Sequence, residues 1–248
     1  MEGAEERFFV GTSGWNYPDW RGKFYPEGLS QKRWLEYYAT QFKAVEVNAT
    51  FYRKFNDRTY QNWFARTPPH FRFVLKAPRT ITHLKHLLDV EEEIRSFERT
   101  ASLLAEKLGL ILLQIAPDTP FDLQRLKSAL MAFNQPTRVA VEFRQKQWWG
   151  EETYGLLREV GAVLVNPDCP GHALCDRWVS EVGYLRLHGR RRWYFDLYAA
   201  EELQAIAETA QRMAGGGCRE VYIFFNNTPS GFAAQNALDL QKQLALAP

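Results

Sequence analysis

Apolar residues recur in eight short runs along the chain, near residues 8–13, 44–51, 71–77, 110–116, 138–144, 162–166, 183–188 and 220–226. Runs of that length suit buried strands better than helices. Between most of them the apolar spacing changes to three and four, as in Ile94, Phe97, Ala101 and Leu104, in Leu123, Leu126 and Leu130, and in Leu203, Ile206, Ala210 and Met213. This spacing predicts helices with one apolar face. Gly109 stands where the first of these helices is expected to stop. The unit between 170 and 182 is the weak one. It is short and holds Pro170 and Gly171, so its helix, the sixth, is expected to be abbreviated.

Eight strands alternating with helices in 248 residues is the size of a closed barrel. The expected class is therefore α/β, a (β/α)8 TIM-like barrel forming one domain over residues 1–248. An open, doubly wound sheet is the alternative, but Gly11-Thr12-Ser13-Gly14 lacks the glycine fingerprint of such folds.

The strands turn polar near their C-terminal ends. Glu46 and Asn48 end the second run, Lys76 the third, Glu142 and Arg144 the fifth, Arg186 and His188 the seventh, and Asn226 and Asn227 the eighth. Side chains two apart share one strand face, so Glu46 with Asn48, Glu142 with Arg144, and Arg186 with His188 point the same way. A lone charge buried there costs several kcal/mol. So many on one side predict a shared polar cavity at the barrel mouth, where enzymes of this fold carry their sites.

Composition narrows the partners. Hydrophobic residues make up 46% and charged residues 24%, and net charge is only +2, so an anion site has to be local rather than a global basic field. The three cysteines form no C-x-x-C pair, which points to a reducing compartment without a zinc framework. Residues 1–6 are acidic and unlike a signal peptide, and the longest apolar run, Leu108 to Leu113, is too short to cross a bilayer. A cytoplasmic protein with no membrane partner is expected.

Several motifs together resemble the YecE-like family, catalogued as a domain of unknown function. They are Gly11-Thr12-Ser13-Gly14-Trp15 with Tyr17-Pro18-Asp19-Trp20-Arg21-Gly22 and Phe24-Tyr25-Pro26, Val45-Glu46-Val47-Asn48-Ala49-Thr50-Phe51-Tyr52, and Phe73-Val74-Leu75-Lys76-Ala77-Pro78. Val141-Glu142-Phe143-Arg144 with Trp148, Leu185-Arg186-Leu187-His188-Gly189-Arg190 and Phe225-Asn226-Asn227 complete the set. The resemblance spans nearly the whole chain. It implies a TIM-like barrel and no settled activity. Members of the family often have His at the positions of Gln145 and Thr228, so imidazole chemistry is not expected at those two places.

The residues themselves favour an enzyme, with hydrolysis one possible reaction, acting on a phosphate-bearing substrate, a nucleotide or nucleic acid, by carboxylate acid/base chemistry. Glu46, Glu142 and His188 are the catalytic candidates. Asn48, Tyr52, Lys76, Arg144, Trp148, Arg186, Arg190, Asn226 and Asn227 are the substrate- and anion-binding candidates. The start of the last helix, around Asn227, Thr228 and Ser230, is a candidate phosphate cradle. An internal salt-bridge network that merely fills the barrel top is the structural reading of the same charges. A non-catalytic nucleic-acid-binding module is one functional alternative, suggested by arginines and aromatics together. The other is a hydrolase or isomerase using a divalent metal, Mn, Mg or Zn, on Glu142, Asp168 and His188. No cofactor is favoured, and oligomeric state is not legible.

Overall fold

The computed structural model describes residues 7–246. Eight strands are present: β1 (Phe8–Thr12), β2 (Ala44–Val47), β3 (Arg72–Lys76), β4 (Leu108–Gln114), β5 (Val139–Glu142), β6 (Val163–Asp168), β7 (Val182–Leu187) and β8 (Glu220–Phe225). All ladders are parallel, in the order β1-β8-β7-β6-β5-β4-β3-β2. A bridge between Ser13 and Glu46 brings the two ends together, so the sheet forms a nearly closed barrel. The helices are α1 (Trp34–Gln41), α2 (Ala49–Tyr52), α3 (Asp57–Ala65), α4 (Glu91–Ala101), α5 (Leu123–Met131), α6 (Glu151–Val160), α7 (Ala200–Gly215) and α8 (Phe232–Leu246).

Strand parity divides the core. Phe9, Ala44, Val74, Leu110, Leu112, Ala140, Val163, Val165, Tyr184, Tyr222 and Phe224 pack together inside the barrel. Their neighbours, such as Val10, Val45, Leu75, Leu113, Val141, Leu185 and Phe225, face the helices. The interior is thus apolar through its middle and polar only where the strands end.

The seam between β1 and β2 has a side chain in place of a ladder. Tyr38 of α1 accepts the Thr12 backbone N–H through its hydroxyl at 2.8 Å and donates to the Ala44 carbonyl at 3.1 Å. Gly11 is needed beside it, because a Cβ there would lie 2.1 Å from the Ala44 carbonyl oxygen.

Two expectations are corrected. The segment between β6 and β7 carries no helix at all, not an abbreviated one. Gly171 takes a φ of +79°, and Cys169 and His172 pair across the turn, so no helix can start there. Asn166 then ties the segment down by donating to the Arg177 carbonyl at 2.7 Å. Gly109 does not stop α4. That helix ends at Ala101, and Gly109 lies in β4, where a Cβ would press on the Tyr222 hydroxyl at 3.0 Å.

Candidate functional site

The C-terminal strand ends hold a connected polar layer. Glu46 is fully buried and accepts from the hydroxyls of Ser13 at 2.6 Å and Tyr184 at 2.5 Å. Arg186 grips it through Nε at 2.9 Å and Nη2 at 2.8 Å. The same guanidinium donates from Nη1 to Glu142 at 2.9 Å and approaches His188 Nε2 at 3.2 Å, while Nη2 reaches Asn48 at 3.3 Å. A guanidinium has five N–H donors; four of them meet Glu46, Glu142 and Asn48, and the fifth lies against the His188 ring. Arg186 is therefore a strut joining β2, β5 and the end of β7.

Desolvation raises the pKa of both carboxylates, but the arginines outweigh it. Burial works against Glu46 while Arg186, Ser13 and Tyr184 hold it below its ordinary range. Glu142 is held well below it, with Arg144 and Arg186 as the main opposing charges. Arg144 Nη2 lies 2.7 Å from Glu142, and its guanidinium sits 5.0 Å from the Trp193 ring, which covers it. Burial and the neighbouring Arg186 push His188 down to about 4, so its ring is neutral near pH 7. The Asn226 amide lies 3.0 Å from its Nδ1.

Lys76 is the exception in this layer. It is 7% exposed and donates to Gln114 Oε1 at 2.8 Å, and Gln114 in turn donates to Glu142 at 2.9 Å. The nearby carboxylates are turned to arginines instead. Burial, then Arg186, bring Lys76 down to about 7. The Phe51 ring, 4.0 Å from Nζ, pulls the other way by about 1–2 kcal/mol in favour of the ammonium.

Above this layer lies a cavity of about 500 Å³ lined by Asn48, Phe51, Lys76, Gln114, Arg186 and Asn226, together with His83 and Thr228. Tyr52, 72% exposed, and Tyr194 and Phe195 form its aromatic rim. The last two belong to the loop after β7, which hooks back through the Tyr194 N–H to the His188 carbonyl at 2.6 Å. Gly189 makes that hook possible with a φ of +96°, and a Cβ there would meet the Arg192 carbonyl at 2.7 Å.

The candidates therefore separate. Glu46, Asn48, Lys76, Glu142, Arg144, Arg186, His188 and Asn226 converge at the mouth, and Tyr52 stands at its rim. Asn227 does not join them. It is one residue out of phase with Asn226 and ties the fold together by donating to Asp196 and Asn236. Trp148 is buried outside the barrel, stacked 5.1 Å from Phe143. Arg190 is turned to Asp168 at 2.8 Å.

Asp168 has the opposite parity to the inward Val163 and Val165, so Glu142, Asp168 and His188 do not form a coordination set. Among the described residues, no group of three His, Cys, Asp or Glu side chains is arranged to hold a metal ion. The phosphate cradle at the start of α8 is blocked as well, because the Asp19 carboxylate already accepts the Ser230 N–H at 2.7 Å.

The sequence did not single out Gln114, Tyr184 and Ser13 of the layer, or His83 of the cavity above it. Strand parity marks the first two, since Gln114 follows Leu110 and Leu112 by steps of two, and Tyr184 precedes Arg186 by two. His83, on a short π-helical turn at 80–84, gives no such signal.

Among the described residues, no helix is long and apolar enough to cross a membrane. Over 281 aligned residues the chain is 24% identical to UPF0759 protein YunF of Bacillus subtilis strain 168, covering 95% of this chain and 94% of that protein. It is 31% identical to UPF0759 protein YecE of Escherichia coli K12 over 153 residues, 60% of this chain and 54% of that protein. Among solved structures, a DUF72 family protein of Thermotoga maritima matches with a TM-score of 0.88 at 32% identity, covering 96% of this chain and 99% of that one. One from Enterococcus faecalis matches at 0.82 and 23% identity, with 97% and 96% covered. With its barrel and its polar mouth so placed, and with the model described as "Protein of unknown function DUF72" matching residues 9–248, the chain belongs to the DUF72 family.

Proposed function

We propose that the chain is an enzyme whose substrate carries a phosphate or similar anion together with a flat, nucleotide-like group, taken up in the barrel mouth. Lys76 carries this reading. It is a buried nitrogen on the cavity wall whose one hydrogen-bond acceptor is an amide, while both nearby carboxylates are committed to arginines. A desolvated cation without a counter-ion is costly, and an anionic ligand removes that cost. Asn48, Asn226 and Thr228 supply neutral polar contacts, and Tyr52, Tyr194 and Phe195 offer faces for a ring. Glu46 and Glu142 do not move the proton in this reading, since guanidiniums hold both ionised. That role passes to Lys76, which changes protonation near neutrality.

Anion binding then favours the ammonium, so it takes up a proton at pH 7.5. Calorimetric titration of inorganic phosphate and of a nucleoside monophosphate, in two buffers of different ionisation enthalpy, measures that uptake. The expected result is binding with proton uptake in the wild type and loss of both in Lys76→Met. No heat from either anion at millimolar concentration removes the reading.

The exposed Trp193, Tyr194 and Phe195 beside Arg191 and Arg192 favour a second reading, in which the ligand is a single nucleic-acid strand and no reaction follows. Its affinity would fall steeply with salt. Oligonucleotide binding that ignores salt excludes it.

A further inference from the structure

We infer that Lys76 is a nucleophilic amine that condenses with an aldehyde or ketone group of the substrate, with His83 relaying the protons. This rests on the mouth being the substrate site, as proposed above, and adds the carbonyl to the substrate class; the neutral amine attacks, and the protonated imine that follows holds beside the anion the positive charge that the ammonium holds when an anion binds alone.

The orientation of Gln114 is the first support. Its amide nitrogen faces the Glu142 carboxylate at 2.9 Å, so its oxygen has to face Lys76. Lys76 therefore donates one N–H to Gln114, and as a neutral amine it keeps its lone pair free for the cavity. The backbone beneath is fixed, because Thr50 Oγ1 donates to the Lys76 carbonyl at 2.6 Å, with the Val47 carbonyl 2.9 Å from the same oxygen. Desolvation beside a second cation is a setting that turns lysines into nucleophiles. The charged and titratable groups acting on Lys76 come from several elements: Glu46 at β2, Glu142 and Arg144 at β5, Arg186 on β7 and His83 on its turn. Burial and Arg186 prevail, bringing the amine down to about 7.

His83 is the second support. It lines the same cavity, and its ring meets Phe51 edge to face at 4.8 Å, the ring over which Lys76 Nζ sits at 4.0 Å. Its Nδ1 pairs with Thr82 Oγ1 at 2.8 Å, which leaves Nε2 for a proton relay. Burial holds its pKa below the usual 6.5.

The step is redox-neutral. The Nζ lone pair forms a bond to the carbonyl carbon, and the π pair moves to oxygen. His83 takes a proton from nitrogen and returns it to that oxygen, giving a carbinolamine. The hydroxyl then leaves as water with the second N–H proton, and a C=N bond remains. One amine and one carbonyl become one imine and one water.

Pyridoxal 5′-phosphate, a flat phosphate-bearing aldehyde, is the probe. The full chain is incubated with it, reduced with borohydride and peptide-mapped, while inorganic phosphate is assayed in parallel by thermal shift. At pH 7.5 the expected adduct lies on Lys76 and is absent from Lys76→Met. Its rate levels off above about pH 7, whereas ordinary lysines continue to gain reactivity towards 10.5. In His83→Gln the same adduct forms roughly 100-fold more slowly. Gln114→Glu supplies a counter-ion and moves the midpoint of the Lys76 profile up by about 1–3 pH units, a readout that does not depend on how Lys76→Met folds. Adducts on surface lysines with none on Lys76 overturn the inference. If phosphate stabilises the protein in that case, the anion reading survives alone. A Lys76 adduct that phosphate neither blocks nor accompanies with a thermal shift keeps the amine and removes the anion reading.

Discussion

At the residue scale, the informative group is the one that the polar network leaves out. Glu46, Glu142 and Arg186 satisfy one another, and each is shifted towards its charged form. Lys76 is shifted towards its neutral form, from an ordinary 10.5 to about 7. Between those values the unfolded chain holds a proton that the folded chain has lost, so stability rises with pH across that window. Below pH 7 the folded protein carries the whole cost of a buried ammonium. Lys76→Met is therefore expected to be more stable than the wild type at pH 6, by ~2–4 kcal/mol, with the gap closing as pH rises from 7 towards 10.5. Urea unfolding at pH 6, 8 and 10 checks this, and a pH-independent gap would contradict the neutral amine. Most of this layer was legible in the chain because β2, β3, β5 and β7 each carry a polar residue of the right parity at or next to the last position. Asp168 and Asn227 looked equivalent by position, yet each sits one residue out of phase with the inward Val165 and Phe224. The state of Lys76 was not legible, because it depends on Gln114 standing between it and Glu142, a contact across 38 residues.

At the scale of elements, the eight strands follow from the eight apolar runs, while the seam between β1 and β2 and the bare segment after β6 do not. A run of apolar residues predicts a strand but not whether its neighbour pairs with it. Here the Tyr38 hydroxyl, fully buried, takes the place of ladder bonds by serving both Thr12 and Ala44. Burial drives its pKa upward, so it remains a donor. Tyr38→Phe would leave a buried N–H and a buried carbonyl without these partners, at a cost of ~1–3 kcal/mol. Hydrogen exchange is the sharper readout. The Thr12 amide is expected to lose protection selectively, while amides of β4 and β5 on the far side of the barrel keep theirs. Uniform loss of protection would mean that the hydroxyl stabilises the fold as a whole and is not the local closure of the barrel.

At the scale of the molecule, Arg186 links strand ends from across the barrel, and the direction of its pH response tests that role. In the wild type, Glu46 and Glu142 have pKa values below their ordinary 4.5, and His188 sits at about 4 against an ordinary 6.5. Between pH 6.5 and 4 the unfolded chain binds a proton at His188 that the folded chain refuses. Below 4.5 it also protonates carboxylates that stay ionised in the fold. Both effects make the unfolded state the stronger proton binder, so stability falls as pH falls through this whole range. Arg186→Met removes the cation and leaves two buried carboxylates facing each other's field, with only hydroxyls, Gln114 and Arg144 to help them. A loss of ~3–5 kcal/mol at pH 7 is expected. Desolvation then dominates at Glu46, whose pKa rises above that of the unfolded chain, while Arg144 still holds Glu142, so the folded state becomes the stronger proton binder at Glu46. The deficit of the variant should therefore shrink as pH falls from 7 to 5, while the wild type is losing stability. Parallel urea titrations at pH 7, 6 and 5 decide the matter. A deficit that stays constant across them would mean that Arg186 contributes packing alone, and that the polar layer is not held together by its charge.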